Sequence, residues 1–327
     1  MEFEGYDLIG DVHGCARSLE QLLQLLGYRL RNGGYRHPSR QVVFLGDIVD
    51  RGTAIRESLQ LVRTMVEQGN AQIIIGNHEY NCITYSERAS QGPESSYLRE
   101  HSPRHKRQIR ATLEQMAPYA DEWRDYLRWF RQLPLYLEFS QFRAVHACWD
   151  QALIGQLQAL GIHDLSDDDF LRRSVERGSF EWTVTDRLLR GTHMTLPNNE
   201  VMQSAEGFNR HEYRSKFWEP NPLRHQDVVF QPDPLPEHIA RQRLTTDEHR
   251  HLLHYGPEQL PLFIGHYWRQ GQPLPITDNI ACLDYSAVKF GKLVAYRLDQ
   301  EARLEAAKFV WVDVDPADIC EPRISSQ

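Results

Sequence analysis

Three short polar motifs in the first quarter of the chain place acids, histidines and an asparagine at fixed positions. They are Gly10-Asp11-Val12-His13-Gly14, Gly46-Asp47-Ile48-Val49-Asp50-Arg51-Gly52 and Gly76-Asn77-His78-Glu79. Each motif comes directly after a short apolar run with strand character. Because ligands bind at the carboxyl ends of the strands in open α/β sheets, we expect the three motifs to converge on one crevice.

Two later histidines also follow apolar runs and extend this candidate site. His146 ends the run 142–146, and His266 comes after Gly265 at the end of the run 262–264. The resulting set of oxygen and nitrogen donors is Asp11, His13, Asp47, Asn77, His146 and His266. This mixture suits manganese, iron or zinc better than calcium. Two such cations could share the Asp47 carboxylate and clamp a phosphoryl group for in-line attack.

The three motifs together resemble those of the calcineurin-like metallophosphoesterase superfamily. Within it, the resemblance is to the branch of phosphoprotein phosphatases and bacterial symmetrical dinucleoside tetraphosphatases. It implies an α/β fold in which two mixed β-sheets pack face to face between helices, as a four-layer sandwich. It also implies two divalent transition-metal ions, with manganese favoured over iron or zinc, and hydrolysis by a hydroxide that bridges them.

The resemblance assigns a role to each motif residue. It gives Asp11 and His13 to the first metal, Asn77, His146 and His266 to the second, and Asp47 to both. His78 is implied as the proton donor to the leaving oxygen and Asp50 as the residue that orients it. Arg51 is implied to bind the phosphoryl oxygens, beside Asn77, because its planar fork fits them. A second phosphate-binding arginine is expected between His146 and His266, with Arg173, Arg177 and Arg190 as candidates.

Each motif alone would be weak evidence. Asp11 and His13 could belong to an ordinary turn with a surface histidine, and Asn77 could be a helix N-cap. The occurrence of all three in order, each after a strand, favours the catalytic interpretation.

The segments between the motifs predict the elements that position them. Apolar residues recur with helical spacing over 18–26 and 54–67, which predicts a β-α-β-α-β run with parallel strand neighbours. Further strands are predicted at 135–139, 142–146, 262–264, 279–283, 292–298 and 309–312, the first two joined by a hairpin turn. We expect one domain over 1–327. Helical and loop insertions at about 86–132 and 151–250 are expected to wall the active site.

Two other features have both a structural and a functional interpretation. The basic run Arg104–Arg110 is either a solvated face or a means of steering anions. The aromatic residues next to ligand histidines, Trp149, Tyr267 and Trp268, either pack in the core or stack on a nucleotide base.

Composition limits the partners. The 327 residues include 37 Lys and Arg against 45 Asp and Glu, a net charge of −8 that argues against nucleic-acid binding. No apolar run approaches the ~18 residues that span a bilayer, and the acidic first residues argue against a signal peptide. The five cysteines lack metal-site or disulfide spacing, so we expect a reducing, cytoplasmic location.

These observations leave the substrate open between two classes. The first hypothesis is a hydrolase of phosphate monoesters, similar to serine/threonine protein phosphatases, acting on a phosphoprotein or a small phosphoester. The alternative is a hydrolase of dinucleoside polyphosphates such as diadenosine tetraphosphate. A metal-binding regulatory protein without catalysis is disfavoured, because it predicts a broken ligand set or a missing His78.

Overall fold

The computed structural model describes residues 3–89, 96–203, 209–230, 235–289 and 291–319. The strands are β1 (Gly5–Ile9), β2 (Arg29–Arg31), β3 (Gly34–Arg36), β4 (Arg40–Phe44), β5 (Ala71–Ile73), β6 (Tyr136–Glu138), β7 (Arg143–Val145), β8 (Thr192–Thr195), β9 (Met202–Gln203), β10 (Asn209–Arg210), β11 (Glu212–Ser215), β12 (Leu262–Ile264), β13 (Ile280–Cys282), β14 (Asp284–Tyr285), β15 (Lys292–Leu298) and β16 (Phe309–Asp313). The helices are α1 (Ala16–Leu25), α2 (Ile55–Glu67), α3 (Asn77–Ser86), α4 (Pro103–Met116), α5 (Ala120–Arg131), α6 (Gln151–Leu160), α7 (Asp168–Arg173), α8 (Phe180–Arg190), α9 (His225–Val228), α10 (Glu237–Ala240) and α11 (Thr246–His251). Within these described ranges, no helix is long and apolar enough to cross a membrane.

Two mixed sheets form the centre of the fold. The larger has the strand order β14-β15-β1-β4-β5, with β16 paired to β15. Its strands β1, β4 and β5 are parallel, and α1 and α2 connect them in the predicted β-α-β-α-β run. The other sheet has the order β13-β12-β7-β6, in which β7, β12 and β13 are parallel and β6 and β7 form the predicted hairpin.

The alternation of side chains along the strands shows that the sheets pack face to face. Val43 of β4 and Phe263 of β12 belong to one fully buried cluster that lies between the sheets. Their neighbours Val42, Phe44 and Ile264 point the other way, into the core that the helices cover. Because successive strand residues face opposite sides, each sheet buries both of its faces. The predicted α/β sandwich with outer helices is therefore confirmed.

The insertions differ from the prediction in one respect. The segment 86–132 forms α4 and α5, as expected. The segment 151–250 contains helices but also the unpredicted strand pairs β8 with β11 and β9 with β10. The four-residue strand β8 alternates buried and exposed positions and packs Met194 against Tyr213 in a separate small cluster. Such short alternating stretches carry too little periodicity to be recognised in sequence.

The candidate residues lie at one edge of this sandwich because of strand direction. Asp11 follows β1, Asp47 follows β4 and Asn77 follows β5 in the larger sheet, while His146 and His266 follow β7 and β12 in the other. The carboxyl ends of parallel strands share an edge, so the fold brings both sets together.

The core between the sheets predicts a large stability cost for one substitution. Phe263→Ala should lower the free energy of unfolding by ~3–5 kcal/mol, because it leaves a cavity between two rigid sheets. Urea denaturation followed by circular dichroism measures this loss. Leu160→Ala on the surface, where Leu160 is 63% exposed, should cost under ~0.5 kcal/mol. Equal losses for the two variants would contradict the packing described.

Candidate active site

The loop that carries Asp47 is held by the carboxylate of Glu79. Glu79 is fully buried in the first turn of α3, and its Oε2 accepts from the backbone N–H of Asp47 at 2.8 Å. Its Oε1 accepts from the N–H groups of Ile48 at 2.8 Å and Val49 at 3.2 Å. Asp47 has a positive φ of 52°, a conformation that costs energy outside glycine and needs such support. The third motif thereby fixes the backbone of the second.

Two motif glycines are required by the close approach of acid side chains. A Cβ added to Gly76 would lie 2.2 Å from Asp47 Oδ1, and one added to Gly265 would lie 2.2 Å from Asp11 Oδ1. Any other residue would displace these carboxylates. The glycines therefore set where Asp11 and Asp47 can stand.

Asp11, His13 and Asp47, the first predicted group of donors, are divided between two clusters. The ligand atoms of His13, Asp47 and His78 all lie within 4.8 Å of one another, and so do those of Asp11, Asp47 and His146. The Nδ1–H of His13 donates to the carbonyl oxygen of Val49 at 2.9 Å, and its Nε2 lies 3.8 Å from Asp47 Oδ2. Burial, and then the charges of Arg51 and His78, hold the pKa of His13 well below its usual value. The imidazole is therefore neutral, with its Nε2 lone pair directed at the site, as in metal-bound histidines oriented by a backbone carbonyl.

Asn77, His146 and His266 form the second group, next to the same Asp47 oxygen. Asn77 Oδ1 lies 2.6 Å from His266 Nδ1 and 3.1 Å from His146 Nε2, and the latter is 3.4 Å from Asp47 Oδ2. The Nδ1–H of His146 donates to the carbonyl of Leu45 at 2.7 Å. Asp47 Oδ2 thus lies between the two groups, where a bridging ligand would stand.

Two properties of the donors fit a pair of cations: some of their buried atoms have no hydrogen-bond partner, and their carboxylates are crowded. Asp11 Oδ1 and His266 Nε2 are buried without a hydrogen-bond partner. Burial, and then the charges of Asp284 and Asp47, raise the pKa of Asp11 well above its usual value. For His146, burial lowers the pKa but the Asp47 and Asp11 carboxylates outweigh it and raise the pKa to about 10. A metal ion that binds to carboxylates crowded in this way displaces their protons.

His78 and Asp50 form a buried pair beside these donors. His78 Nδ1 lies 2.5 Å from Asp50 Oδ2, and Arg51 Nη2 lies 3.3 Å from His78 Nε2. The hydroxyl of Thr112 donates to Asp50 Oδ1 and accepts from the Asp50 backbone N–H. Thr112 lies in α4, so the first insertion contacts the site. Sequence analysis gave no signal for this contact, since no motif contains Thr112.

Two further groups near the donors were also missed. Asp284 begins β14, and burial raises its pKa; its charge acts on Asp11. An acid after the apolar run 279–283 could have suggested it. Arg214 is half-buried in β11, and its Nη1 donates to the backbone oxygen of His266 at 3.3 Å. Arg214 lies between His146 and His266 in the chain, where a second arginine was expected.

The arginines named from sequence have other contacts. Arg173 lies 3.0 Å from Glu181, and Arg177 lies 2.8 Å from Glu212 with three quarters of its side chain exposed. Arg190 donates to Asn81 Oδ1 at 3.2 Å, one turn along α3 from Asn77. Arg190 therefore contacts the helix that carries Asn77 and His78.

The aromatic neighbours of the ligand histidines are mostly packing residues. Trp149 is 3% exposed and packs edge-on against Tyr136. Tyr267 is fully buried, and its hydroxyl accepts from the backbone N–H of Thr192. Neither ring presents an open face on which a base could stack. Trp268 is half-buried, with Lys289 Nζ 4.9 Å from its ring centre.

The contacts of Glu79 predict that its charge is required for the site. Glu79→Gln should lower the free energy of unfolding by ~2–3 kcal/mol, because an amide N–H would face backbone donors and leave them unpaired. It should also weaken manganese binding, measured by titration calorimetry, because Asp47 loses its support. Glu87→Gln, an exposed change at the end of the same helix, should alter neither quantity. Unchanged metal affinity in Glu79→Gln would refute the supporting role.

Part of the chain is similar in sequence to bacterial tetraphosphatases. The asymmetrical bis(5'-nucleosyl)-tetraphosphatase PrpE of Oceanobacillus iheyensis is 51% identical over 73 residues, which are 22% of this chain and 29% of that protein. The PrpE of Bacillus subtilis is 40% identical over 74 residues, or 22% and 30% of the two chains. The matched region therefore spans less than a third of each relative's length.

Structural similarity extends further than sequence identity. A serine/threonine phosphatase of Saccharomyces cerevisiae, described as similar to human phosphatase PP5, aligns with a TM-score of 0.52 and 12% identity, over 97% of this chain and 81% of that one. At this identity the likeness concerns the fold alone. The sequence profile of the calcineurin-like phosphoesterases matches residues 7–224. The profile covers well over half of the chain, and the protein belongs to the calcineurin-like phosphoesterase family of metal-dependent hydrolases.

Proposed function

We propose that this phosphoesterase hydrolyses phosphate monoesters with poor leaving groups, such as phosphoserine or phosphothreonine. The observation that carries the proposal is the buried His78–Asp50 pair with Thr112 behind it. An alkoxide leaving group must be protonated as its bond to phosphorus breaks. His78 is suited to supply that proton from Nε2, while Asp50 holds Nδ1 and Thr112 keeps the Asp50 carboxylate in place.

Two divalent ions are part of the proposal. Asp11 and His13 would hold one, Asn77, His146 and His266 the other, and Asp47 both. When bound, the ions supply Lewis-acid polarisation of the phosphoryl group and an activated water nucleophile. The mixed oxygen and nitrogen donors favour manganese over iron or zinc.

Arginines on two sides of the donors would bind the phosphoryl oxygens. Arg51 is exposed, and its guanidinium lies next to His78 Nε2, so the phosphate-binding group and the proton donor converge. Arg214, half-buried with its Nη1 on the backbone oxygen of His266, is proposed as the second arginine. Asn77, between the histidines, would also face the substrate.

A second candidate substrate, a dinucleoside polyphosphate, is favoured by the similarity to PrpE, a bis(5'-nucleosyl)-tetraphosphatase. Cleavage of a phosphoanhydride bond in such a substrate releases a nucleotide phosphate, which is already a stable anion. This cleavage would therefore depend less on His78 than the cleavage of an alkyl ester.

The insertions are proposed to form part of the site in one domain. The contact of Thr112 with Asp50 and that of Arg214 with His266 support this role for the segments 86–132 and 151–250.

The shared position of Asp47 predicts the metal content. Wild-type protein reconstituted with manganese should hold about two ions per chain by elemental analysis. Asp47→Asn should hold one or fewer, because the amide loses the charge that both ions share. Asp169→Asn, on an exposed side chain, should keep two. A wild-type stoichiometry of one, unchanged in Asp47→Asn, would exclude the bridging role.

The role of His78 predicts a dependence on the leaving group. His78→Asn should keep both metals yet lose kcat by ~10²–10⁴-fold on a phosphoserine peptide. The loss should be much smaller on para-nitrophenyl phosphate, whose leaving group barely needs a proton. The exposed His163→Asn should leave both rates unchanged. If both substrates lose equally with metal content intact, His78 positions the phosphate and is not the acid.

The substrate class itself is tested by assaying manganese-loaded protein on a phosphoserine peptide and on diadenosine tetraphosphate, with the products identified. We expect release of orthophosphate from the peptide with the higher kcat/KM. Turnover of the tetraphosphate alone would establish the second candidate in place of the first.

A further inference from the structure

The side chain of Arg99 is a largely buried cation that makes few hydrogen bonds with the described residues. Its backbone N–H donates to the carbonyl of Thr84 in α3 at 2.8 Å, which fixes the residue against that helix. Its side-chain Nε is buried without a hydrogen-bond partner, and its Nη2 reaches Gln108 Oε1 only at 3.5 Å. Among the described residues, no acid forms an ion pair with it.

Among the described residues, the arginines that act on Arg99 carry a charge of the same sign. Burial is the largest influence on Arg99, followed by the charge of Arg190, with Arg104 contributing further; together they lower the pKa of Arg99 to about 10. A guanidinium with that pKa still carries its charge at neutral pH. Burying an unpaired charge next to like charges is costly, and a bound anion would offset that cost.

Contacts with α3 position Arg99 and Arg190, two members of an arginine cluster that also includes Arg104. Asn77, Asn81 and Thr84 are spaced four and three residues apart, so they lie along one face of the helix. Asn81 accepts from Arg190, and Thr84 holds the backbone of Arg99. At 1.5 Å per residue, these contacts lie ~6–10 Å along the helix from Asn77. The arginine cluster therefore lies beside the donor site, displaced from it along the axis of α3.

We propose that Arg99, Arg104 and Arg190 form an anion subsite that binds a second phosphate group of the substrate, while the first occupies the donor site. The planar forks of arginine match the oxygens of a phosphate group. Arg190 is already oriented, because its Nη2 is bound to Asn81 and its Nη1 lies 3.5 Å from Asp186. The inference rests on the proposed phosphoesterase function and extends it to substrates with more than one phosphate.

Two sources could present that second phosphate. One is a polyphosphate chain, as in a dinucleoside polyphosphate, and the other is a peptide phosphorylated at two nearby residues. Both have the same chemistry at the subsite, so they are separated by assay.

The kinetic test compares substrates with one and with several phosphates. Manganese-loaded wild type and Arg99→Met are assayed on para-nitrophenyl phosphate, diadenosine tetraphosphate, and singly and doubly phosphorylated peptides. Arg99→Met should raise KM about tenfold or more for a multiply phosphorylated substrate and change kcat/KM for para-nitrophenyl phosphate less than about twofold. Arg104→Gln, at an exposed member of the cluster, should act in the same direction and covers the case in which Arg99→Met folds poorly. Whichever of the tetraphosphate and the doubly phosphorylated peptide shows the effect identifies the source.

Arg110→Gln is the matched control. Arg110 lies on the same helix as Arg104, is exposed, and pairs with Glu114 at 3.8 Å. The substitution removes the same charge outside the cluster, so it should leave all KM values unchanged. An equal effect in Arg110→Gln and Arg104→Gln would reduce the cluster to general electrostatic steering and overturn the subsite.

A binding measurement separates failure of the subsite from failure of the proposed function. Thermal unfolding of the full chain is followed with sodium sulfate and with sodium chloride of equal ionic strength. Sulfate should raise the Tm of the wild type at least about 2 °C more than that of Arg99→Met. If no phosphorylated substrate is hydrolysed but this difference is found, the proposed function fails and the subsite stands. Equal sulfate stabilisation, with KM raised alike for all substrates, would show that Arg99 has a structural role only.

Discussion

The arrangement of the active site depends on the hydrogen bonds of one buried carboxylate. Glu79 accepts from the backbone of the loop that follows β4, and that loop holds Asp47 in a left-handed conformation. Without these acceptors, several N–H groups would be buried unpaired and the strained backbone of Asp47 would relax. Asp47 Oδ2 lies next to a donor of each group, His13 and His146, so its position determines whether the two groups face one another.

Around this loop, the fold concentrates negative charge that the chain cannot neutralise by itself. Asp11, Asp47 and Asp284 are buried near one another, and the histidines beside them compensate only in part. The apolar burial on both faces of each sheet offsets the free-energy cost of burying these carboxylates. The opposite sign of charge is concentrated near α3, where Arg99 is buried without an ion pair among the described residues and Arg190 acts on it. The proposed cation site next to the proposed anion subsite is the electrostatic pattern expected for a substrate rich in phosphate.

Much of the fold could be predicted because its signals are local. The runs before Asp11, Asp47 and Asn77 are short, apolar and followed by glycine. The segments between these runs have apolar residues at helical spacing. The predicted bounds 262–264 and 292–298 match β12 and β15. The strand pairs in 151–250 were not predicted, since strands of two to four residues depend on their partners for stability and show little pattern of their own.

The sequence by itself determined the family, the types of donor atoms and their places at strand ends, because these depend on motifs a few residues long. Only the tertiary structure decided which distant groups complete the site. Thr112 is 62 residues from Asp50, and Arg214 is 52 residues from His266. Such pairs have no characteristic spacing, since they arise where insertions fold back over the strand ends. Among the described residues Arg99 has no ion pair, which is likewise a property of packing that no composition or motif could have indicated.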